Sequence, residues 1–237
     1  MSSKTVRLWR HGRTAYNASG RLQGQIDIEL DEVGRWQAAT AGAVLARRGR
    51  VHRIVSSDLV RAHATARSLA QIVDVEVVLD ERLRERSFGE WEGLTAEEIS
   101  TRWPQQWQEW ITWRGVDVEG GETREQVAER MVPAVREHAA ALPDGGTLVI
   151  VSHGAAITIT AAVLMGQEST WRGVAGISNA HWNEFAVPHD HDGVSGAQLT
   201  PWRLLGHNLG PMEASSNWDA GPDKDVPDLD DSAREPS

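Results

Sequence analysis

The chain has 237 residues, of which 40% are hydrophobic, and this is enough for one well-filled domain. Its formal net charge of −10 argues against a nucleic-acid or anionic-membrane partner, since both would repel it. It contains no cysteine, which excludes disulfides, a thiol nucleophile and a thiolate metal site. The N-terminus has no apolar signal core and no apolar run reaches the ~20 residues that cross a bilayer, so we expect a soluble, cytoplasmic protein.

Predicted strands and helices alternate along most of the chain. Short apolar runs predict strands at 6–9, 53–56, 75–79 and 147–151, with one or two more after residue 180. Capping residues and 3.6-residue periodicity predict helices from Asp31 to about Gly49, from Leu59 to Val73, from Thr123 to about Leu142 and from Ala155 to Met165. This order predicts an α/β fold, in which a mostly parallel central sheet carries helices on both faces.

Two segments depart from the alternation. The pattern of residues 95–120 predicts two short helices that form a small cap insertion. Three tryptophans of this insertion share a helix face, namely Trp103, Trp107 and Trp110. Such a stripe is more typical of packing than of a platform for a ligand. From Pro211 onward the chain carries eight acidic and two basic residues and is expected to be a disordered tail. We therefore expect one domain over 1–210, followed by an acidic tail over 211–237.

Clusters of polar residues follow the four predicted strands. They are "RHGRTAYN", "SSDLVRA", "LRERSFGEWEG" and "SHG". The carboxyl ends of parallel strands face one crevice, where ligands bind to sheets of this kind. The residues predicted to converge there are Arg10, His11, Arg61, Glu85 and His153.

These five side chains suit the transfer of a phosphoryl group. Arginine offers paired donors to phosphate oxygens, and its charge lowers the pKa of a nearby histidine, so a neutral His11 can act as a nucleophile. Glu85 can protonate a leaving alkoxide. Gly12 is expected to let the backbone pass close to the ligand. Such a set neutralises phosphate without a metal or another cofactor, and none is expected.

The same segments resemble a known family. "RHG", "RLQGQID", "SSDLVRAHATA", "RERSFGEWEG", "GGET" and "VSHGAAI" occur in that order within about residues 5–205. Together they resemble the phosphoglycerate mutase-like branch of the histidine phosphatase superfamily. The resemblance implies a phosphorylated nucleophile, a proton donor and a phosphate pocket, which are respectively His11, Glu85, and the group of Arg10, Arg61 and His153. It also implies phosphate or substrate contacts from Asn17, Gln23, Gly24 and Gly154. Arg13 stands where members usually carry Glu or Gln.

Three functions within this family remain open. The chain is a phosphohydrolase of a small phosphorylated metabolite, a cofactor-dependent phosphoglycerate mutase, or a non-catalytic member that binds phosphate or a phosphoprotein. The filled catalytic positions disfavour the last. Cations typical of the family's mutases are missing from "ERSFG", "GLTAEE" and residues 113–115, which favours the phosphohydrolase. The stretches "SSDLVRAHATA", "GEWEGLTAEEI" and "ISNAHW" are similar to those of glucosyl-3-phosphoglycerate phosphatases.

The expected partner is thus a small phosphorylated substrate, and a homodimer is left open. The "HDHD" motif at 189–192 resembles a cluster of metal ligands. A polar loop between two strands explains that motif more simply, so no metal site is predicted.

Overall fold

A computed structural model describes residues 3–112, 116, 118–188, 200–211 and 218–221 of the chain. The "HDHD" motif at 189–192, the segment 113–115 and most of the acidic tail lie outside the described residues. None of the described helices is both long enough and apolar enough to cross a bilayer.

A six-stranded mixed sheet forms the centre of the described molecule. Its strands are β1 (Lys4–Arg10), β2 (Arg53–Ser56), β3 (Val77–Leu79), β4 (Thr147–Ser152), β5 (Trp182–Val187) and β6 (Arg203–Leu209). Their order across the sheet is β3-β2-β4-β1-β5-β6. The first four strands are mutually parallel, and β5 runs antiparallel to both of its neighbours. The predicted α/β fold with a mostly parallel sheet is confirmed.

The described residues form seven α-helices, two of which begin at side-chain caps that the sequence predicts. They are α1 (Ala15–Ala18), α2 (Glu32–Arg47), α3 (Val60–Val73), α4 (Ala96–Arg102), α5 (Pro104–Ile111), α6 (Arg124–Ala140) and α7 (Gly154–Leu164). The Asp31 carboxylate accepts a hydrogen bond from the Gly34 amide at the start of α2. Thr123 and Gln126 form a reciprocal capping box at the start of α6.

Helices cover both faces of the sheet, and β4 shows how the core is divided. Leu148 and Ile150 belong to a buried cluster with α6 and α7, while Val149 and Val151 belong to a second cluster with α2 and α3. Successive side chains of a strand point to opposite faces, so a strand buried on both faces is apolar throughout. This explains the uninterrupted apolar run of β4 in the sequence.

The predicted cap consists of α4 and α5, which pack over a third buried cluster. At its centre lies Trp91, whose ring centroid is 5.5 Å from that of Trp110 and 6.4 Å from those of Trp103 and Trp107. These tryptophans therefore pack the cap against the domain, as the helical spacing indicates.

Part of the acidic tail is ordered against the domain. Trp218 is 5% exposed, donates from Nε1 to the Asn179 carbonyl at 2.9 Å, and accepts at its own carbonyl from Gln37 Nε2 at 2.9 Å. Its ring also packs on Trp36, at a centroid distance of 4.9 Å. The expectation of a disordered tail from Pro211 onward is wrong for residues 218–221, because Trp218 fills a place in the core.

Arg13 connects this segment to α2. Its Nε forms a 2.8 Å ion pair with Asp31, and its Nη1 donates to the carbonyl of Asp219. The unusual arginine at this position thus has a structural role in holding the tail.

Candidate active site

The carboxyl end of the sheet opens into a cavity of about 370 Å³. Arg10 ends β1 and His11 follows it, Arg61 lies in the first turn of α3, and Glu85 lies in the loop after β3. The predicted residues that line the cavity are Arg10, His11, Asn17, Gln23, Gly24, Arg61, Glu85 and Gly154. His153 is not among these lining residues and, like Arg61, is wholly buried.

His11 is held in a single tautomer. Its Nδ1 lies 2.7 Å from the Gly12 carbonyl oxygen, which only accepts, so Nδ1 carries the proton and Nε2 keeps its lone pair. Burial, followed by the charges of Arg61 and Arg10, holds the pKa of His11 well below its usual range. The ring is therefore neutral at neutral pH, and Nε2 is able to act as a nucleophile.

The backbone of His11 is fixed from two sides. Its amide donates to the Ser152 carbonyl at 3.0 Å, and its carbonyl accepts from the Ala180 amide and from Asn179 Nδ2, each at 3.1 Å. Asn179 Nδ2 also lies 3.2 Å from Asn17 Oδ1. The position of the imidazole is thus set before a ligand arrives.

His153 contacts both Arg61 and Ser57. Arg61 Nε donates to His153 Nδ1 at 3.2 Å, which places the proton of the neutral ring on Nε2, 2.9 Å from Ser57 Oγ. Burial, with Arg61 next in effect, holds the pKa of His153 well below its usual range. Its ring centroid lies 5.1 Å from that of His11. Its contacts are therefore those of a residue that orients Arg61.

Arg61 is fully buried and tied to the backbone. Nη1 donates to the Ile26 carbonyl at 2.8 Å and Nη2 donates to the Gly24 carbonyl at 2.7 Å, which leaves one further N–H on each nitrogen. Burial lowers the pKa of Arg61 to about 10, so the guanidinium remains charged at neutral pH. Arg61 therefore presents two fixed donors and a full charge.

Gly24 serves this arrangement through its backbone. Its φ is +53°, and a Cβ at this position would lie 2.0 Å from Glu92 Oε1. Only glycine satisfies both conditions without strain. Although Gly24 lines the cavity, its clearest role is to aim a carbonyl at Arg61.

A contact that the sequence did not predict explains why position 12 is glycine. A Cβ on Gly12 would lie 2.3 Å from the carbonyl oxygen of Gly34, so the glycine is required by close contact with α2. The expected close passage of the backbone by a ligand at Gly12 stays a prediction. The Gly12 carbonyl accepts the bond that selects the His11 tautomer.

Glu85 lies at the N-terminus of α7. Its Oε1 accepts from the amides of Arg86 and Ala156, both at 2.8 Å, and its Oε2 accepts from the Ala155 amide at 3.1 Å. The amides in the first turn of a helix have no partner within the helix, and an acidic side chain can satisfy them. Oε2, with its single longer bond, is the freer of the two oxygens.

The remaining predicted residues offer polar groups to the cavity. Arg10 Nη1 donates to the Ile177 carbonyl at 2.6 Å, while Arg10 Nε is buried without a partner among the described residues. Oε1 of Gln23 is likewise buried without a partner among the described residues. Asn17 has its Oδ1 occupied by the capping box of α1, which leaves its amide NH₂ for a ligand. Gly154 is the first residue of α7, where a helix amide favours an anion.

The profile of the Histidine phosphatase superfamily (branch 1) matches residues 6–198. The chain belongs to the histidine phosphatase superfamily.

Several similar proteins in this superfamily are named phosphatases. The glucosyl-3-phosphoglycerate phosphatase of Mycobacterium tuberculosis is 39% identical over 197 residues, which cover 78% of this chain and 86% of the relative. The glucosyl-3-phosphoglycerate phosphatase of Mycolicibacterium vanbaalenii is 38% identical over 215 residues, which cover 86% of this chain and 94% of the relative. A solved mycobacterial glucosyl-3-phosphoglycerate phosphatase in complex with VO3 superimposes with a TM-score of 0.77 at 35% identity, covering 87% of this chain and 99% of that one. The chain is a phosphohydrolase of the histidine phosphatase superfamily.

Sequence reasoning missed several cations of this histidine phosphatase. Further arginines line the cavity, namely Arg21, Arg86, Arg124 and Arg172. The sequence interpretation considered only cations at the positions typical of the family's mutases, so these four arginines were not expected in the cavity. No motif joins these residues, because they come from separate segments of the chain. Asn179 was also missed, although it lies in the quoted stretch "ISNAHW".

Within the described ranges, no group of three or more His, Asp or Glu side chains is arranged to hold a metal ion. The groups that could neutralise a bound phosphate are the guanidiniums and amides already named.

Proposed function

We propose that this enzyme hydrolyses glucosyl-3-phosphoglycerate, or a closely related sugar or glycerate phosphate, through phosphorylation of His11. The observation that carries the proposal is the fixed neutral tautomer of His11, whose Nε2 is available beside Arg10 and Arg61. The names of the two relatives support this choice of substrate.

In the first step, His11 Nε2 attacks phosphorus, so that an N–P bond forms as the P–O bond to the substrate breaks. The donors for the phosphate oxygens are the N–H groups of Arg10 and Arg61 together with the Gly154 amide. They neutralise charge on oxygens that change position little during transfer. Glu85, protonated on Oε2, gives its proton to the departing alkoxide.

In the second step, water attacks the phosphohistidine. Glu85 takes a proton from that water, the N–P bond breaks with its electron pair returning to Nε2, and inorganic phosphate leaves. The enzyme returns to its starting state, with His11 neutral and Glu85 protonated. His153 takes no proton in this scheme, since its role is to orient Arg61.

We also propose that the enzyme works in the cytoplasm on a free small molecule. A cavity of about 370 Å³ is of the size that accommodates a small ligand. Cell fractionation with detection of the phosphatase activity tests the location.

Chemical trapping tests the proposed intermediate. Rapid quenching with phosphorus-labelled substrate should yield a protein phosphoramidate that is stable in base and lost in acid. His11→Ala should abolish both label and turnover, while His63→Ala, a histidine on α3 outside the cavity, should retain both. Turnover that persists in pure His11→Ala protein would refute the mechanism.

The substrate is tested by measuring phosphate release from a panel. The panel contains glucosyl-3-phosphoglycerate, 3-phosphoglycerate, sugar phosphates, nucleotides and phosphopeptides. We expect the highest kcat/KM for glucosyl-3-phosphoglycerate. A preference for nucleotides or phosphopeptides would contradict the proposed substrate while leaving the His11 mechanism intact.

A further inference from the structure

The main chain around Glu85 is held by an arginine of α6. Arg130 Nη1 donates to the carbonyls of Arg82 and Arg84, at 2.8 Å and 2.7 Å. Its Nη2 donates to the carbonyl of Glu85 at 2.9 Å. The remaining two N–H groups, one on Nε and one on Nη2, form a forked ion pair with Glu122, at 2.7 Å and 2.8 Å. All five donors of this guanidinium are thereby engaged.

Glu122 reaches the same segment from just before α6. Its Oε2 accepts from the Ser87 amide at 2.8 Å, and its own amide donates to the Ser87 carbonyl at 2.9 Å. Although burial opposes it, the hydrogen bonds from Arg130 and Ser87 hold the pKa of Glu122 below its usual range, so the carboxylate is charged at neutral pH. The side chains of the pair are 20% and 21% exposed. A forked, charge-assisted pair of this kind fixes geometry as well as contributing energy.

The position of the Glu85 carboxylate depends on where this main chain lies. The amides of Ala155 and Ala156 hold the carboxylate from α7, while Arg130 holds the carbonyl from α6. Gln25 Nε2 adds a third contact, at 3.1 Å from the Glu85 carbonyl oxygen. A general acid must come within about 2.6–3.2 Å of the oxygen that it protonates. A misplacement of about 1 Å can cost ~10²-fold in rate.

We propose that Glu122 and Arg130 are positioning residues for the general acid. They fix the main chain of Glu85 so that its Oε2 delivers a proton to the departing alkoxide oxygen. The inference rests on the proposed function, in which His11 is the nucleophile and Glu85 the acid. Neither Glu122 nor Arg130 is among the described residues that line the cavity. Their effect on the reaction is therefore confined to the step that Glu85 assists.

Substrates that differ in their need for a proton test this role. Glu122→Gln keeps the size of the side chain but replaces one acceptor oxygen by an NH₂ group and removes the charge. We expect kcat/KM for glucosyl-3-phosphoglycerate, an alkyl ester, to fall by about 10- to 100-fold. For p-nitrophenyl phosphate, whose leaving group needs little protonation, kcat/KM should fall much less. Arg130→Lys keeps the charge but not the fork, and the same pattern is expected of it.

A second ion pair between the same loop and the same helix supplies the control. Arg82 and Glu137 form a 2.9 Å pair whose side chains are 38% and 64% exposed. Exposed pairs contribute little, so Glu137→Gln should leave both esters unaffected. Competitive inhibition by inorganic phosphate measures the site formed by Arg10, Arg61 and His11. The inhibition constant should be unchanged in Glu122→Gln, because only the acid is displaced.

The double variant Glu85→Gln/Glu122→Gln separates positioning from a general loss of structure. If Glu122 acts through Glu85, the double variant hydrolyses the alkyl ester no more slowly than Glu85→Gln alone. The amide of Glu122 still bonds to Ser87 in Glu122→Gln, and Arg130→Lys carries the test if that variant does not fold.

The outcomes distinguish this inference from the proposed function. Equal losses on both esters in Glu122→Gln or Arg130→Lys, or losses that multiply in the double variant, would refute the positioning role and leave the phosphatase standing. Equal losses on both esters in Glu85→Gln itself would remove Glu85 as the acid of the proposed function. A wild type that forms no phosphohistidine would refute the proposed mechanism.

Discussion

Acidification from pH 8 to pH 5 is expected to destabilise the folded enzyme through its buried histidines. The pKa values of His11 and His153 are held well below the usual range, first by burial and then by Arg61. In the unfolded chain a histidine binds a proton below a pKa of about 6.5. Below pH ~6.5 the unfolded state therefore binds protons that the folded state does not bind. The contribution of these histidines to the free energy of unfolding is complete above pH ~6.5 and is lost as the pH falls below it.

The size of the effect follows from proton linkage. Each histidine that stays neutral in the folded state lowers the free energy of unfolding by about 1.4 kcal/mol per pH unit, once that histidine is fully protonated in the unfolded state. Between pH 8 and pH 5 this amounts to at most about 2 kcal/mol for one histidine and about 4 kcal/mol for the pair. Domains are stable by roughly 5–15 kcal/mol, so the loss is large enough to measure.

His11→Asn isolates one of the two histidines. Asparagine can donate to the Gly12 carbonyl in place of Nδ1 but does not titrate. Urea unfolding, followed by tryptophan fluorescence in phosphate-free buffer, yields the free energy of unfolding at each pH. The wild type should lose up to about 2 kcal/mol more than His11→Asn between pH 8 and pH 5.

Comparing the two proteins cancels other acid-sensitive groups. His181, whose pKa is also lowered by burial, is present in both and does not affect the difference. If the free energies of unfolding of the two proteins stay parallel from pH 8 to pH 5, His11 is not buried as a neutral base, and the tautomer argument fails with it.

Further predictions concern the chemistry and the tail. Glu85→Gln should cost about 10²–10⁴-fold in kcat for alkyl phosphates and less for p-nitrophenyl phosphate, whose leaving group needs little protonation; equal losses would show that Glu85 is not the acid. Excess EDTA should leave phosphate release nearly unchanged, and a loss restored by one divalent ion would implicate a metal. With 3-phosphoglycerate, phosphorus NMR should detect phosphate release faster than formation of 2-phosphoglycerate; the reverse would indicate a mutase. Trp218→Ala should lower the free energy of unfolding by about 3 kcal/mol in urea titrations, whereas Trp171→Ala, at a 38% exposed site, should cost far less; equal costs would mean that Trp218 is not anchored.

The sequence by itself determined the order and type of the main elements. Apolar runs mark strands and capping side chains mark helix starts, because both signals depend on neighbours in the chain. The predicted strand at 75–79 is shorter in the structure, where β3 spans Val77–Leu79. Among the described strands β3 is an edge strand beside β2. Its Val77 pairs with Ile54, so Val75 lies before the beginning of β2 and has no strand residue opposite it.

The sequence also determined that the catalytic candidates meet. The ends of parallel strands share one edge of a sheet, so polar residues that follow such strands converge whatever their separation. His11 and Arg61 were located in this way, and Glu85 was selected through the resemblance of its segment to the family. Gly24 was carried over as a substrate contact, yet it acts chiefly through its carbonyl, which no side-chain pattern reveals.

Only the tertiary structure decided how these groups are used. The tautomer of His11 depends on a carbonyl distance, and the contact between His153 and Arg61 depends on how two distant segments pack. The cavity arginines Arg86, Arg124 and Arg172 come from a loop, from the first residue of α6 and from the loop before β5, and Trp218 returns to the core from the acidic tail. Contacts between distant segments leave no periodicity and no capping pattern in the sequence. They form only when folding brings the side chains together, so the sequence alone does not predict them.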